Sequence, residues 1–252
     1  MQKIYKELTD KFRKQNGVIS HLTFKKIVSK LKEDINTSLL LLQASGYPIK
    51  QIGKNYILET YNRDYKKEKF CVIDIETNGS KPEEFQVIEI GAVMIQNGKI
   101  IDKFESLVKC DFIPEYITKI TGLDIKSLEN APSNREVLQK FRLFLDNAIF
   151  VAHNADFDFN FLNTSFKNLG LGSIGNFKMC SIDLAKRTIK SQKYGLAYLN
   201  DTLNLGTTTH HRAYSDALTT AKLLNILLSK IPQHIKSTDE LIRFSKKNIK
   251  NK

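Results

Sequence analysis

The spacing of apolar residues divides the chain into a helical first segment and a longer segment of mixed character. Phe24, Ile27, Val28 and Leu31 recur at intervals of three and four residues, which is the spacing of one face of an α-helix. A charged amphipathic helix precedes this run. A third helix follows it, with the apolar stretch 39–42 as its buried body. The first segment therefore begins with three predicted helices.

Two short extended pieces follow these helices. They cover about 47–51 and 55–59, and Gly53 marks the turn between them. Three helices followed by a hairpin resemble a winged-helix domain. We therefore predict that residues 1–61 form a small winged-helix-like domain ahead of the main one.

A charged stretch separates this domain from the rest of the chain. Residues 62–68 are predicted to be a linker, and a solvated loop within one larger domain is the alternative. Beyond it, 70–76 forms a continuous apolar strand, and two more strands follow. Those two are joined by Asn97 and Gly98, a pair typical of a tight β-hairpin turn.

Helices and strands alternate after these three strands. The segments are expected at about 134–146 (helix), 148–154 (strand), 157–168 (helix), 180–189 (helix) and 214–229 (helix). Three antiparallel strands followed by alternating helices and strands predict an α/β domain, a mixed sheet flanked by helices, over 69–230. We predict that residues 231–252 form a basic C-terminal tail with a frayed end.

Charge and cysteine content narrow the function classes. Lysine and arginine number 39 against 27 acidic residues, a formal charge of +12, which favours a polyanionic partner such as nucleic acid. The alternative is a lysine-rich composition without functional meaning. Cys71, Cys110 and Cys180 are widely spaced, which argues against a disulfide framework or a zinc site. The longest apolar runs are too short to cross a bilayer. We therefore expect a cytoplasmic protein with no membrane partner.

The first candidate chemistry is a pair of carboxylates at the end of an apolar strand. Asp74 and Glu76 are separated by one residue, so both point to the same side of that strand. Two neighbouring carboxylates repel each other and lose hydration, and a bound cation relieves both costs. The alternative is a strand end that already emerges into solvent, where the pair costs little.

Two further pieces add acidic residues and a histidine. Asp158 lies in the first turn of the helix after the 148–154 strand, whereas Asp156 is better suited to capping that helix. Asp216 begins the final helix, and His211 precedes it by five residues. The usual imidazole pKa of about 6.5 suits a proton acceptor near neutral pH. A polar surface loop is the alternative for the pair of histidines.

Together these pieces resemble the DEDDh exonucleases, the family of the proofreading epsilon subunit of bacterial DNA polymerase III. Three motifs carry the resemblance: D-x-E-T-x-G (Asp74, Glu76, Thr77, Gly79), H-N-x-x-F-D (His153, Asn154, Phe157, Asp158) and H-x4-D (His211, Asp216). The resemblance covers about 68–230 and implies a ribonuclease H-like fold.

The resemblance implies a two-metal hydrolysis that releases nucleoside 5′-monophosphates. Its metal ligands are Asp74, Glu76, Asp158 and Asp216. Four carboxylates balance the charge of two Mg²⁺ ions, and Mn²⁺ has similar ligand preferences. Asp74 is expected to bridge both ions, and His211 is expected to act as the general base. His210 lies one position farther from Asp216 and fits less well.

Other residues are candidates for holding the substrate. The terminal nucleotide is expected to contact Thr77, Asn78, Gly79, Leu123, Asn154 and Phe157. For Phe157, a place in the core is the favoured alternative. The phosphates are expected to meet Lys186, Arg187, Lys190, Lys193 and Arg212, with a solvated charged face as the alternative.

The leading functional prediction is a 3′→5′ exonuclease that acts on single-stranded or frayed DNA 3′ ends in proofreading or repair. A replicative DNA polymerase is its expected partner. An RNA 3′-end exonuclease and a catalytically inactive binding module are the alternatives. Residues 33–49 contain no lysine or arginine, so the third helix is predicted to dock or pack rather than to read bases. Non-specific contact by Lys25, Lys26, Lys30 and Lys32 stays open.

Overall fold

The computed structural model describes residues 1–206 and 212–246. Its first part contains α1 (Gln2–Lys14), β1 (Val18–Ser20), α2 (His21–Val28), α3 (Ile35–Ala44), β2 (Ile49–Ile52), β3 (Asn55–Leu58) and α4 (Glu59–Asn62). Its second part contains β4 (Lys69–Thr77), β5 (Val87–Gln96), β6 (Lys99–Leu107), α5 (Glu115–Thr121), α6 (Ile125–Leu128), α7 (Asn134–Leu145), β7 (Ile149–Ala152), α8 (Ala155–Asn168), β8 (Lys178–Cys180), α9 (Ser181–Thr188), α10 (Leu196–Thr202), α11 (Ala213–Ser229) and α12 (Thr238–Lys246).

The first segment has the predicted three helices and hairpin. The Asp34 carboxylate accepts hydrogen bonds from the backbone at Asn36 and Thr37 and so caps α3. The strands form an antiparallel sheet in the order β1–β3–β2, and the stacked rings of Phe24 and Tyr56 lie in the core beneath it. Strand β1 was missed because three residues cannot show an alternating pattern. The winged-helix likeness itself stays a prediction.

The second segment is built on a five-stranded mixed sheet in the order β6–β5–β4–β7–β8. Strand β4 is antiparallel to β5 and parallel to β7. Asn97 and Gly98 both have positive φ, 52° and 73°, as the predicted hairpin turn between β5 and β6 requires. The predicted mixed sheet flanked by helices is therefore confirmed.

Helices cover both faces of this sheet because β4 is apolar on both sides. Phe70 and Val72 point into a core shared with α9, α11 and α12. Cys71 and Ile73 point into a second core shared with α7 and α8. By the same alternation, Asp74 faces the side of the sheet that α11 covers.

The first segment packs against the end of the sheet at which β7 and β8 begin. Gly175 donates its backbone N–H to the Ser45 carbonyl at 2.7 Å, and Arg142 donates to the same carbonyl at 3.0 Å. The backbone at Gly46 passes so close to Asn176 that a Cβ would overlap its side chain. Because β4 runs parallel to β7, the carboxyl end of β4 lies at the opposite end of the sheet from the first segment.

The stretch predicted to be a tail contains a packed helix. Helix α12 buries Leu241 and Ile242 in the core beside α9 and α11, so the expectation of a tail over 231–252 is wrong for Thr238–Lys246. The charges of this helix hid it, because Asp239 is buried by pairing with arginines rather than by being apolar. Residues 247–252, the expected frayed end, lie outside the described part of the chain.

The charged stretch 62–68 is also packed. Tyr65 and Glu68 are buried, and the Thr238 backbone donates a hydrogen bond to the Arg63 carbonyl at 2.8 Å. The remaining domain boundaries stay predictions. Among the described residues, no helix has the length and apolar character needed to cross a membrane.

Candidate active site

Three of the predicted carboxylates meet at the carboxyl end of β4. Asp74 and Glu76 extend from this strand towards α11, and Asp216 lies in the first turn of α11. One carboxylate oxygen from each of the three lies within 4.8 Å of the other two. Residues 142 positions apart thus meet because α11 packs across β4 and β5.

Asp158 adds a fourth carboxylate to this group. It lies in the first turn of α8, is only 4% exposed, and is close enough to Asp74 to raise its pKa. Both α8 and α11 therefore direct an acidic residue from their first turn into one site. The positive end of each helix dipole partly offsets that negative charge.

Burial and mutual repulsion raise the pKa of these carboxyl groups. Burial is the main cause at Asp74, whose pKa lies well above its usual range, and the charges of Asp158, Glu76 and Asp216 add to the effect. Burial followed by the charge of Glu89 raises the pKa of Glu76 to about 7. Burial raises the pKa of Asp158 to about 7, although backbone hydrogen bonds at Asp158 and Ile75 oppose it.

This arrangement is suited to a divalent cation. Asp74, Glu76 and Asp216 offer carboxylate oxygens within 4.8 Å of one another, the ligand type that hard ions such as Mg²⁺ and Mn²⁺ prefer. A bound divalent ion would also supply the positive charge that the raised pKa values show to be lacking. The donor set therefore fits a divalent metal ion.

Glu89 and Arg212 form a pair beside the cluster that sequence reasoning missed. Glu89 faces Glu76 across the β4–β5 ladder and is 1% exposed. Its Oε1 accepts from Arg212 Nε at 3.1 Å and Nη2 at 2.8 Å, and its Oε2 accepts from the Ala213 backbone at 3.1 Å. Arg212 was expected to contact the phosphates. In the structure it directly precedes α11 and forms an ion pair with Glu89.

A glycine allows α11 to come this close to the sheet. A Cβ on Gly91 would lie 2.1 Å from the backbone nitrogen of Tyr214 and 2.2 Å from the carbonyl carbon of Ala213, which backbone atoms cannot accommodate. Gly91 and Glu89 thus fix where α11 begins, one turn ahead of Asp216. The sequence signal was a single charge and a glycine within an otherwise apolar strand.

The polar side chains of the loop after β4 form hydrogen bonds with the backbone of this loop and of its neighbours. Thr77 Oγ1 donates to the Gly79 carbonyl at 2.7 Å. Asn78 Nδ2 donates to the Phe112 carbonyl at 2.9 Å, and Asn78 Oδ1 accepts from the Gln86 backbone at 2.7 Å. These bonds fix the loop beside the carboxylates. The role of Thr77, Asn78 and Gly79 in binding substrate stays a prediction.

The other predicted nucleotide contacts differ in exposure. Leu123 is buried with Cys110 and Leu128 in a small core, whereas Phe157 is 38% exposed, more than the favoured core placement implies. Asn154 has φ 82° and precedes α8, where its carbonyl accepts from the Phe157 backbone at 3.0 Å. Phe157 therefore keeps an accessible face, and the substrate roles of all three stay predictions.

His153 of the second motif forms hydrogen bonds within the protein through both of its ring nitrogens. Its Nε2 donates to the Tyr194 carbonyl at 2.9 Å, and its Nδ1 then accepts from Ser181 Oγ at 2.8 Å. Burial lowers its pKa to about 4, so the ring is neutral and holds the segment around Tyr194. Asp156 is exposed and pairs with Lys178, outside the carboxylate cluster and without a side-chain cap on α8.

The remaining candidates are a set of basic residues and the two histidines. Arg187 donates to the Ser245 carbonyl at 3.2 Å and lies over the ring of Phe244, so it anchors α12. The predicted general base His211 and its neighbour His210 lie outside the described residues. Their roles stay predictions.

Known proteins share both the sequence and the fold of this region. A family model described as an exonuclease, of the RNase T type, matches residues 71–224. The PolC-type DNA polymerase III of Thermotoga petrophila is 40% identical over 166 residues, covering 65% of this chain and 12% of the relative. That of Caldanaerobacter subterraneus subsp. tengcongensis is 39% identical over 176 residues, covering 69% and 12%. The chain thus spans about one eighth of the length of these relatives.

Solved exonucleases share the architecture. Exonuclease X in complex with 5′ overhanging duplex DNA aligns with a TM-score of 0.57 at 25% identity, over 70% of this chain and 99% of that one. E. coli exonuclease I in complex with a dA16 oligonucleotide aligns with a TM-score of 0.59 at 14% identity, over 66% and 42%. The predicted ribonuclease H-like fold is confirmed. The chain therefore belongs to the exonuclease family, as its DEDDh motifs predicted.

Proposed function

We propose that the protein is a metal-dependent 3′→5′ exonuclease that removes nucleoside 5′-monophosphates from DNA 3′ ends. The observation that carries this proposal is the meeting of Asp74, Glu76 and Asp216 within 4.8 Å, with Asp158 buried beside them. An inactive binding module would not need to keep four repelling carboxylates together, because losing any one of them would relieve the repulsion.

We propose two Mg²⁺ ions as the cofactor, with Mn²⁺ as a substitute. Asp74, Glu76, Asp158 and Asp216 would hold them, and Asp74 is the candidate to contact both. Bound ions of this kind activate water and stabilise a leaving oxygen. The protein itself would orient the 3′ end through the fixed loop at Asn78 and would accept a proton at His211.

DNA is the proposed substrate because the polymerase relatives and the Exonuclease X structure concern DNA. We propose that single-stranded or frayed 3′ ends are trimmed in proofreading or repair in the cytoplasm, in partnership with a replicative polymerase. Pull-down of the polymerase by the full chain tests the partnership, and absence of binding at micromolar concentrations contradicts it.

The activity can be tested with end-labelled strands. The protein would be incubated with 5′-labelled DNA, 5′-labelled RNA and a mismatched primer, each with Mg²⁺, Mn²⁺ or EDTA. We expect stepwise shortening from the 3′ end that requires metal, with DNA cleaved faster than RNA. Faster cleavage of RNA would instead establish the RNA 3′-end exonuclease, and no metal-dependent shortening of either strand would overturn the proposal.

The assignment of the base predicts a specific loss. His211→Ala should lower kcat by on the order of 10²–10⁴-fold, the usual contribution of a positioned general base. His210→Ala is the matched control and should retain most activity. The opposite ranking of the two variants would show that His210 is the base.

A further inference from the structure

The first segment carries a groove lined by lysines, which we call the lysine groove. It is a cavity of about 700 Å³ between α1 and α2. Its cationic lining consists of Lys3, Lys6, Lys11, Lys14 and Lys26. Glu7 and Asp10 are its acidic residues, so positive charge prevails.

Most of this positive charge is not neutralised by the protein. Lys6 pairs with Asp10, and Glu7 pairs with Lys30 from outside the groove. Within the described residues, no carboxylate forms an ion pair with the other four groove lysines, which are Lys3, Lys11, Lys14 and Lys26. Like charges that line one groove repel one another, and a polyanion relieves that repulsion.

A second cavity connects this groove with the catalytic part of the chain. Lys6 and Asp10 also line a second cavity, of about 440 Å³, together with Arg13, Lys178 and Lys246. This junction cavity reaches Asn160 and Asn163 of α8, the helix whose first turn carries Asp158. The other cations of this cavity are paired, Arg13 with Asp239, Lys178 with Asp156 and Lys6 with Asp10. Lys246 therefore supplies the charge that no carboxylate of the described residues pairs, and burial, followed by the charges of Lys178 and Arg13, lowers its pKa.

The groove is held in a fixed position relative to the carboxylates. Arg13 bonds Asp239 of α12 at 2.7 Å, and Arg142 of α7 bonds the carbonyls of Ser45 and Ser173. These contacts lie at the end of the sheet where the parallel strands begin. Because β4 rises roughly 3.3 Å per residue, the stretch from Lys69 to Glu76 separates that end of the sheet from the active site by roughly 20 Å.

We propose that the lysine groove and the junction cavity bind the sugar–phosphate backbone of a nucleic acid strand, several nucleotides away from the 3′ end held at the carboxylates. The choice of nucleic acid as ligand rests on the proposed function. Lysine ammonium groups contact phosphates as point charges and carry no base preference. This surface would lengthen the hold on the substrate without making it sequence-specific.

An acidic protein segment would also be attracted by the lysines, but the distribution of apolar residues favours nucleic acid. Protein partners are commonly anchored by buried apolar and aromatic side chains. The exposed apolar residues of the first segment include Leu40, Leu41 and Ile52, which do not line the groove. Its lining is instead dominated by long cationic side chains.

The test compares a groove variant with a control of equal charge change. The groove variant combines Lys11→Gln, Lys14→Gln and Lys26→Gln, all on helices, where glutamine and lysine have similar propensity. The control combines Lys99→Gln, Lys140→Gln and Lys230→Gln, which are exposed and line neither cavity. Fluorescence anisotropy in EDTA would measure binding of labelled DNA strands of about 4 and about 20 nucleotides.

We expect the groove variant to bind the long strand on the order of 10-fold more weakly than the control does. The slope of log K against log salt should fall by about 2, since each lost phosphate contact removes about 0.7 for a single strand. Binding of the short strand, and kcat on it with Mg²⁺, should match the control.

Equal binding of the long strand by both variants would overturn the inference. So would a groove variant that lost affinity only for polyglutamate, because the groove would then bind acidic protein. Binding is measured without metal, so it decides the inference even if no nuclease activity is found. Absence of activity would count against the proposed function alone.

Discussion

Two groups of shielded carboxylates lie at opposite ends of the central sheet and differ in their partners. At the active site, Asp74, Glu76 and Asp158 are surrounded mainly by one another. At the other end, Asp239 is fully buried between Arg13 at 2.7 Å and Arg243 at 3.0 Å.

Glu68 belongs with Asp239. It is 1% exposed, and its two oxygens accept from Arg63 at 2.8 Å and from Thr238 Oγ1 at 3.1 Å. Burial of an acidic residue therefore does not by itself identify a functional site. The distinguishing feature is whether the chain supplies the opposite charge or leaves it to a ligand.

The largest expected effect is on cleavage, in Asp74→Asn. We expect exonuclease activity to be abolished, because Asp74 is central to the cluster. The neutral amide of the asparagine could not replace the negative charge on which metal binding depends. The metal-free variant should be at least as resistant to urea as the parent, since removing one of several repelling charges relieves repulsion. Lower stability together with residual activity would contradict the comparison.

The metal-free protein should lose stability as the pH rises. The pKa of Glu76 is raised from 4.5 to about 7 and that of Asp158 to about 7, so between about pH 4.5 and 7 the folded chain holds more protons than the unfolded chain. The free energy of unfolding therefore falls as the pH rises through this window. For one such group the loss is on the order of 3 kcal/mol.

Urea unfolding in EDTA near pH 5 and near pH 8 would measure this loss. Mg²⁺ should restore stability at the higher pH and have little effect at the lower, because protonated carboxyl groups do not bind it. Asp74→Asn should show a smaller pH dependence than the parent. A metal-free protein that became more stable from pH 5 to pH 8 would show that these groups are ionised without a cation.

The larger elements of the catalytic part could be predicted because their apolar periodicity is local. The expected strand at 70–76 and helix at 214–229 correspond to Lys69–Thr77 and Ala213–Ser229. Strand β8 and helices α5, α6 and α10 are three to seven residues long, too short for a period to emerge.

Helix α12 was missed for a different reason. It is stabilised by an ion pair between Asp239 and Arg13, which are 226 positions apart. A pairing of that kind leaves no local pattern, so charged residues that are buried looked like a solvated tail.

Strand alternation and helix starts indicated where each acidic residue lies locally, and the resemblance to the DEDDh exonucleases joined the four carboxylates into one predicted set. Their convergence required the fold, since Asp216 reaches Asp74 only when α11 crosses the sheet. Glu89 carried a visible signal, a charge inside an apolar strand. Its partner Arg212, however, lies 123 positions away, and the positive charge of Arg212 suggested a phosphate contact instead.

Glu89 combines features of the two groups of carboxylates. It lies beside the active-site cluster, but like Asp239 it forms an ion pair with an arginine, Arg212. Glu89→Gln keeps an acceptor for the Ala213 backbone and removes the charge that holds Arg212. We expect kcat to fall by about 10–100-fold, as for other residues that orient metal ligands, with a weaker apparent affinity for Mn²⁺.

Glu129→Gln is the control, since Glu129 is exposed and its charge is not among those that act on Arg212. It should leave kcat and Mn²⁺ affinity unchanged. An unchanged kcat in Glu89→Gln would mean that the Ala213 bond alone positions α11.

The smallest expected effect is on stability, in Asp239→Asn at the other end of the sheet. The free energy of unfolding should fall by about 1–3 kcal/mol, because hydrogen bonds to two guanidinium groups are weakened and Arg13 and Arg243 can still reach water. The kcat on a strand of about 4 nucleotides should not change, since this carboxylate has its cations within the chain. Urea unfolding would measure the loss against Glu84→Gln, which breaks an exposed pair with Lys81 and should cost about 0–1 kcal/mol. A fall in kcat without a fall in stability would show that the paired carboxylates also serve catalysis, and the distinction between the two groups would fail.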